Sequence, residues 1–270
     1  MVVSYWSGRH VKKLHRLLDQ MLKYEAGSPF HVVVVCNGGE QHPLSLPSRF
    51  AVLNPRVLAR ENTHYNLGAW DFGWRNAPGY EYYLFLQDDC HLKLADWVYE
   101  FEHRMDRDPG VGLLGELERS SNMSWEFLAS YNGMSVDPAT GKEAKSIDLF
   151  LSTLEKHGID SGSLGTHLPS LVLFTSRRIL EEIGGFPFFG PSYQEAVWTE
   201  VATSRLIVAK GYRISKVTDF PFCFIGHDEW KLSGSDRRTG IRRTLHDALE
   251  GAKRWLKAVL RMKQKSRRSA

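Results

Sequence analysis

Tyr82-Tyr83-Leu84-Phe85-Leu86-Gln87-Asp88-Asp89-Cys90 is an apolar, aromatic run of strand length that ends abruptly in two adjacent carboxylates. A buried strand has no internal reason to end so. Like charges side by side repel, and neither tolerates burial unless paired or bound to a cation. Open α/β sheets take their ligands at the carboxyl ends of the strands. Asp88 and Asp89 therefore read as a cation site at a strand tip. A magnesium or manganese ion held by one or two carboxylates takes its other ligands from substrate phosphates and water. The plainer alternative is a solvated turn with an acidic N-cap for the following helix.

Upstream, residues 2–6 (Val-Val-Ser-Tyr-Trp) read as a short buried strand. Val11, Leu14, Leu17, Leu18, Met21 and Leu22 recur at spacings of three and four, which predicts an amphipathic helix stopped by Gly27-Ser28-Pro29. Residues 31–36 hold four consecutive valines, the pattern of a strand buried on both faces of a parallel sheet. They end in Asn37-Gly38-Gly39, which permits a sharp turn and a close approach to a ligand. Strand, helix and strand in this order form a βαβ unit with a right-handed crossover. Residues 50–53 predict a weak third strand. Residues 62–76 predict a loop carrying Asn66, Gly68 and Asp71 that becomes helical near Ala69.

Downstream of the acidic pair, residues 94–105 predict a second amphipathic helix and 111–114 another strand. From 116 to 164 the pattern dissolves, apart from a short helix around 147–154. Such a length is too great for a plain connection. It reads as a functional excursion over the site or as the edge of a second subregion. Order returns with a strand at 168–175, a helix at 176–183 capped by Ser176, and a helix at 194–210 ended by Gly211. Strand-like runs follow at 212–217 and 220–225, the last leading into Gly226-His227-Asp228-Glu229. There are no internal repeats. Alternating strands and helices up to residue 115 predict an open α/β sheet.

Composition narrows the function classes. The chain has 270 residues, 42% hydrophobic and 24% charged, ordinary for a soluble globular protein. Cys36, Cys90 and Cys223 are far apart and form no CxxC pair. That argues against a disulfide framework or a zinc site and for reduced thiols in an intracellular protein. The start, Met-Val-Val-Ser-Tyr-Trp, has no charged leader and no long apolar run, which argues against a signal peptide. No stretch reaches the length of a spanning helix. The net charge of +4 hides an asymmetry: of 35 Lys/Arg and 31 Asp/Glu, 12 and 2 lie in residues 237–270, leaving 23 and 29 before them. An argument for nucleic acid would thus rest on the tail alone, and aromatic residues that could stack on bases are scarce there.

Several segments, taken in order, resemble the nucleotide-binding half of a GT-A glycosyltransferase. These are the strand at 2–6, the four-valine strand with Asn37-Gly38-Gly39, the Asn66-Leu67-Gly68 loop and Leu86-Gln87-Asp88-Asp89. The strand at 171–175, then Arg178 through Gly184-Gly185-Phe186, and Glu200 through Gly211-Tyr212-Arg213-Ile214 are similar to the acceptor half of family 2 glycosyltransferases. His227 falls where many members carry a histidine after the last strand. The resemblance spans residues 2–227. It implies a GT-A (Rossmann-like) open, mostly parallel twisted sheet flanked by helices over 1–235, with a nucleotide-binding half 1–115 and an acceptor half 116–235. This chain departs from the family in carrying Gln87 at the first position of the metal motif, Cys36-Asn37 at the second strand tip and Thr199-Glu200 at the acidic helix.

What the resemblance implies chemically is transfer of a sugar from a nucleoside-diphosphate donor (a UDP-, GDP- or dTDP-sugar) to a hydroxyl of a glycan or glycolipid acceptor. A Mn²⁺ or Mg²⁺ ion acting as Lewis acid would stabilise the departing diphosphate. Asp89 and His227 would be its ligands, with Asp88 bonding the ribose or donor sugar; the bland reading of His227 is a hydrogen-bonded surface histidine. Glu200 would take the acceptor proton, with Glu195 as the neighbouring alternative, and the anomeric configuration would invert. Tyr5 would stack on the base and Asn37 pair with its edge, with Gly38 leaving room. Asn66, Gly68 and Asp71 would cross above the nucleotide. Trp70 and Trp74 read as core packing at helical spacing. Arg177 and Arg178 read either as diphosphate contacts or as solvated helix charges. Glu116, His167 and residues 120–131 are acceptor-side candidates with no specific pattern.

The last stretch carries Ile241, Leu245, Ala248, Leu249, Ala252, Leu256, Val259 and Leu260 in an apolar stripe, with Arg242, Arg243, Lys253, Arg254, Lys257 and Arg261 beside it. A basic C-terminal amphipathic helix of this kind, within a tail at 236–270, suits an anionic membrane surface contacted through 241–268. Docking on the body or on a partner chain is the alternative. The whole predicts a cytoplasmic enzyme, peripheral on the inner face of a membrane. Two rivals stand beside it. One is a sugar-nucleotide-binding module with degraded catalysis. The other is a nucleotidyltransferase, whose basic Gly-rich loop after the first strand is echoed faintly by Ser7-Gly8-Arg9-His10.

Overall fold

The apolar runs on either side of the acidic pair assemble into one sheet. The computed structural model describes residues 1–138 and 140–230. In chain order the elements are β1 (Val2–Trp6), α1 (Lys12–Lys23), β2 (Val33–Asn37), β3 (Arg56–Arg60), α2 (Tyr65–Asn76), β4 (Tyr82–Gln87), β5 (Cys90–Leu92), α3 (Tyr99–Arg107) and β6 (Val111–Gly115). There follow α4 (Trp125–Tyr131), β7 (Met134–Val136), β8 (Glu143–Lys145), α5 (Ser146–Lys156), β9 (Val172–Ser176), α6 (Arg177–Ile183), α7 (Tyr193–Ala209), β10 (Arg213–Lys216) and β11 (Ile225–His227). Chain contacts group Met1–Asp228 into one compact unit. The basic tail at 236–270 lies outside the described residues.

Seven strands form the sheet in the order β10-β6-β9-β4-β1-β2-β3. β9 alone runs antiparallel to its neighbours, β4 and β6; the other pairings are parallel. This is the α/β architecture expected of the sequence: an open, mostly parallel sheet flanked by helices. The strand period of two divides the valines between the faces. Val3, Val34, Leu84 and Leu86 pack with Leu14, Leu17 and Leu18 of α1 and with Trp97 and Phe101. Val2, Val33, Val35, Tyr83 and Phe85 pack with Trp70 and Trp74 of α2, Leu180 of α6 and Ile207 of α7. Trp70 and Trp74 are thus core residues, as their spacing predicts. Two glycines mark close approaches. A Cβ on Gly73 would meet Val2 at 2.4 Å, and one on Gly226 would meet the His91 ring at 2.4 Å.

Several local expectations are corrected. Residues 50–53 belong to a 3₁₀ turn, Ser48–Leu53, closed by Asn54 in the left-handed region, with Phe50 buried. The third strand is instead Arg56–Arg60, a polar edge strand paired with β2. Helix α2 starts at Tyr65, not Ala69. Helix α3 starts at Tyr99, not near 94, because the amides of Asp96, Val98 and Tyr99 donate to Glu25 and Ala26 carbonyls. Residues 220–225 are turns up to β11, because their amides are drawn to another partner. The excursion after residue 115 is ordered. α4 and α5 build a third core, in which Trp125, Leu128, Phe150, Leu154 and Ile159 close on Trp198, Val201 and Ala202 of α7, while the β7–β8 hairpin stays outside it.

Candidate active site

A cleft of about 460 Å³ opens at the carboxyl ends of β1, β2 and β4. Ser4, Tyr5 and Trp6 form its floor with Asn37, Gln87 and Asp88. Residues 62–66, Arg9 and Pro191 form its walls. Parallel strands point their final residues at the same space, so the position follows from the topology.

The two aspartates divide. Asp88 lines the cleft, and its Oδ2 is buried without a hydrogen-bond partner. Burial, and then the charge of Asp89, push its carboxyl up to about 6. Asp89 is 1% exposed and does not line the cleft. Its Oδ1 accepts no well-aligned hydrogen bond and stands 2.9 Å from His227 Nε2. Its Oδ2 lies 3.4 Å from Lys13 Nζ and 3.6 Å from Arg9 Nη1. Burial opposes ionisation, but the His227 contact and the Lys13 charge outweigh it and hold Asp89 below the usual carboxylate range.

His227 reaches Asp89 because β11 pairs antiparallel with β5, the strand that starts directly after the acidic pair, in the register His227 opposite Cys90. The histidine is buried, so the surface reading of it fails. Gln87 Oε1 stands 3.4 Å from the same ring nitrogen. Adjacent ligands of an octahedral ion at ~2.1 Å stand about 3 Å apart. The 2.9 Å spacing of His227 Nε2 and Asp89 Oδ1 therefore suits joint ligation. Among the described residues no group of three or more His, Cys, Asp and Glu side chains is placed to hold a metal ion. Such a site would depend on substrate phosphates for the rest of its ligands.

Glu116 was legible only as a vague candidate, yet it sets up β11. Its carboxylate is fully buried and accepts from the amides of Cys223 (2.7 Å), Phe224 (3.0 Å) and Ile225 (2.7 Å), while its own carbonyl accepts from the Phe222 amide at 3.0 Å. Burial pushes it up to about 7 against the pull of those donors and of Lys93.

The remaining expected residues separate into those at the cleft and those behind it. Tyr5 lines the cleft, with its hydroxyl donating to the Arg9 carbonyl at 2.9 Å. Trp6, one residue on, is 45% exposed there and is the more available ring, a residue the sequence reading passed over. Asn37 lines the cleft, but both ends of its amide are engaged. Arg60 Nη1 donates to Oδ1 at 2.9 Å, and Nδ2 donates to the Tyr65 carbonyl at 3.1 Å. These bonds fix its orientation at the floor of the cleft and leave one N–H and one oxygen lone pair over. Arg60 also donates to the Thr63 carbonyl and hydroxyl, tying down a loop in which His64 and Tyr65 both have positive φ. Gly38, at φ +77°, sits so close to Ser7 that a Cβ would meet its hydroxyl at 2.6 Å. Gly68 is likewise crowded by the Thr63 carbonyl at 2.6 Å, behind the wall. Asp71 faces away, bonded to Trp74 Nε1, Arg75 Nε and the Phe186 amide. Arg177 and Arg178 pair with Glu181 and Glu182 one turn on, as solvated helix charges do.

Ser170 joins the acceptor side to the cleft. Its carbonyl accepts from Asn66 Nδ2 (2.7 Å) and Gln87 Nε2 (2.6 Å), both cleft residues. Its amide (2.5 Å) and hydroxyl (2.7 Å) donate to Glu200 Oε2. Glu200 Oε1 stands 3.6 Å from His167 Nε2. Glu195, by contrast, is the N3 residue of a capping box. Its Oε2 accepts from the Ser192 amide and hydroxyl, and Ser192 Oγ accepts from its amide. That role occupies the carboxylate in holding the start of α7.

No family model matches the chain, and no curated protein matches it in sequence. Solved structures show distant likenesses. Residues 1–349 of S. aureus TarS match with 15% identity, covering 83% of this chain and 58% of that one, at a TM-score of 0.45. A longer S. aureus TarS structure matches with 16% identity over 87% of this chain and 37% of that one, at 0.45. A CMP:2-keto-3-deoxy-manno-octonic acid synthetase complexed with CTP matches with 13% identity over 92% and 98%, at 0.43. The chain therefore spans under two thirds of either TarS structure.

Proposed function

We propose that this protein is a glycosyltransferase that moves a sugar from a nucleoside-diphosphate donor to a hydroxyl acceptor with inversion of configuration. The observation that carries the reading is Asp88: a buried carboxylate with an orphaned oxygen at the floor of a strand-end cleft. The cleft's volume lies in the range of small-molecule sites. Asp89 and His227 would hold a Mn²⁺ or Mg²⁺ ion, with substrate phosphates and water as its other ligands. When bound, that ion supplies Lewis-acid stabilisation of the charge developing on the diphosphate. Asp88 and Arg9 orient the donor. Ser170 fixes Glu200 through Oε2, so Oε1 takes the acceptor proton as the hydroxyl attacks from the opposite face. Glu200 is preferred to Glu195 because the capping box already occupies Glu195.

The test is a thermal-shift panel of UDP, GDP and dTDP and their sugars with Mn²⁺. A metal-dependent shift with at least one nucleotide, abolished by Asp88→Asn and by Asp89→Ala, is the expected result. No shift from any nucleotide would end the proposal. For the chemical step, Glu200→Gln should lower transfer by about 10²–10⁴-fold while leaving that shift in place. A product of retained configuration, read by NMR, would remove Glu200 from the role.

Nucleotidyl transfer is the second reading. It is favoured by one observation: Arg9, in the turn after β1, lines the cleft, and Lys13 follows it beside Asp89. Pyrophosphate as the released product would select it.

A further inference from the structure

Lys13 belongs to α1, and nothing in its local sequence marks it. In the fold it meets two carboxylates at once, Asp89 Oδ2 at 3.4 Å and Asp228 Oδ2 at 3.7 Å. Both contacts are long, and the side chain is 37% exposed. Its neighbour one turn on behaves differently. Arg16 Nη2 holds Asp228 Oδ2 at 3.0 Å and the Asp89 and Cys90 carbonyls at 3.3 Å. His91 Nδ1 stands 3.3 Å from the other Asp228 oxygen. If Lys13 left, Asp228 would keep Arg16 and His91, while Asp89 would keep Arg9 and His227. Arg16 is thus the fixed strap and Lys13 the movable charge, as its flexible stem and single ammonium suit.

We infer that Lys13 is a phosphate-binding residue that competes with a divalent cation for Asp89. The inference rests on reading the cleft as a donor site. A fixed positive charge 3.4 Å from Asp89 Oδ2 repels any divalent ion approaching the same carboxylate. A diphosphate arriving beside Arg9 offers Lys13 a better anion. Once the ammonium turns to it, the repulsion at Asp89 falls. Metal and diphosphate therefore assist one another's binding, and the metal alone binds poorly. The coupling is reciprocal by linkage.

The experiment uses the full chain and two probes, Mn²⁺ alone followed by electron paramagnetic resonance, and pyrophosphate in the presence of chelator followed by calorimetry. Lys13→Met should bind Mn²⁺ about tenfold more tightly than the wild type and pyrophosphate about tenfold more weakly, the scale of one unit charge at this range. Lys12→Met makes the same change in net charge on an exposed neighbour and should leave both affinities unchanged. Adding Asp89→Asn to Lys13→Met should cancel the gain in Mn²⁺ affinity. Equal Mn²⁺ affinity in wild type and Lys13→Met, no binding by either, an equal gain in Lys12→Met, or a gain that survives Asp89→Asn would each overturn the inference. The nucleotide panel is read separately. Its failure alongside the expected Mn²⁺ results would remove the donor reading and leave the competition at Asp89 standing.

Discussion

Asp88, Asp89 and Glu116 carry the same functional group into three different surroundings. Asp89 is ringed by positive charge, Asp88 has an oxygen with no partner, and Glu116 is closed inside backbone amides. For Glu116 the consequence is a pH dependence. Its folded pKa, about 7, lies above the unfolded value of 4.5, so the folded state holds the proton more tightly. Its stabilising contribution is complete below about 4.5 and is lost as pH rises through about 7. The groups facing it are Lys93 and Cys223, with the amides of 223–225. In urea denaturation, Glu116→Gln should gain on the wild type by roughly 3 kcal/mol between pH 5 and pH 8. Parallel stability curves would contradict this. For Asp88, exchange to Asn removes a buried charge without a partner and should raise the melting temperature of the ligand-free protein, by about 1–3 kcal/mol in stability. A lower melting temperature would show that the charge is compensated. At this scale the sequence was partly legible. Two acids after an apolar strand are visible in any window. The partners of Glu116 lie more than a hundred residues away and are backbone groups, which leave no mark on residue type.

The loop between β3 and α2 shows why elements are harder to bound than to detect. Its residues were read as a loop that becomes helical, but the start of the helix was misplaced by about one turn. Nothing caps α2 through a side chain, and His64 and Tyr65 adopt left-handed conformations that the sequence does not advertise. Arg60 imposes them, holding Asn37 and Thr63 together from the edge strand. That strand was missed for a related reason. With an arginine at each end and only Val57, Leu58 and Ala59 between, its apolar run is too short to stand out beside that of β2 or β4. Arg60→Ala should therefore loosen the cleft wall and lower stability by about 1.5–3 kcal/mol, since the lost bonds are charge-assisted. Chemical denaturation measures the second effect, and weaker nucleotide-dependent thermal shifts the first. Beside Arg60, Gly38 donates its amide to the Arg60 carbonyl at 2.7 Å, and Gly38→Ala meets both a positive φ and the Ser7 hydroxyl. It should lower stability by about 1–2 kcal/mol or more. A neutral outcome at either position would mean that the wall tolerates movement.

Across the whole molecule, α7 is the element that the two halves share. Its Ile207 packs under the sheet, its Trp198, Val201 and Ala202 face the excursion, and its Glu200 reaches Ser170 at the cleft side. The length of the excursion was a legible signal and its contents were not. Trp125, Phe150 and Trp198 become one core although the first and last stand 73 positions apart, so no local periodicity announces them. The cleft, by contrast, is built from β1, β2, β4 and the 62–66 loop, with Pro191 as the contribution from just before α7. In the proposed reaction this division separates donor binding from acceptor chemistry. Trp198→Ala should cost about 3–5 kcal/mol in stability by opening the third core. It should also lower transfer to acceptor through the displaced Glu200. Nucleoside-diphosphate affinity, measured by calorimetry at a temperature where the variant is folded, should stay within about twofold of wild type, because no cleft-lining strand touches that core. If donor affinity falls in step with transfer, α7 couples the two sides and the cleft cannot be treated as a separate donor site.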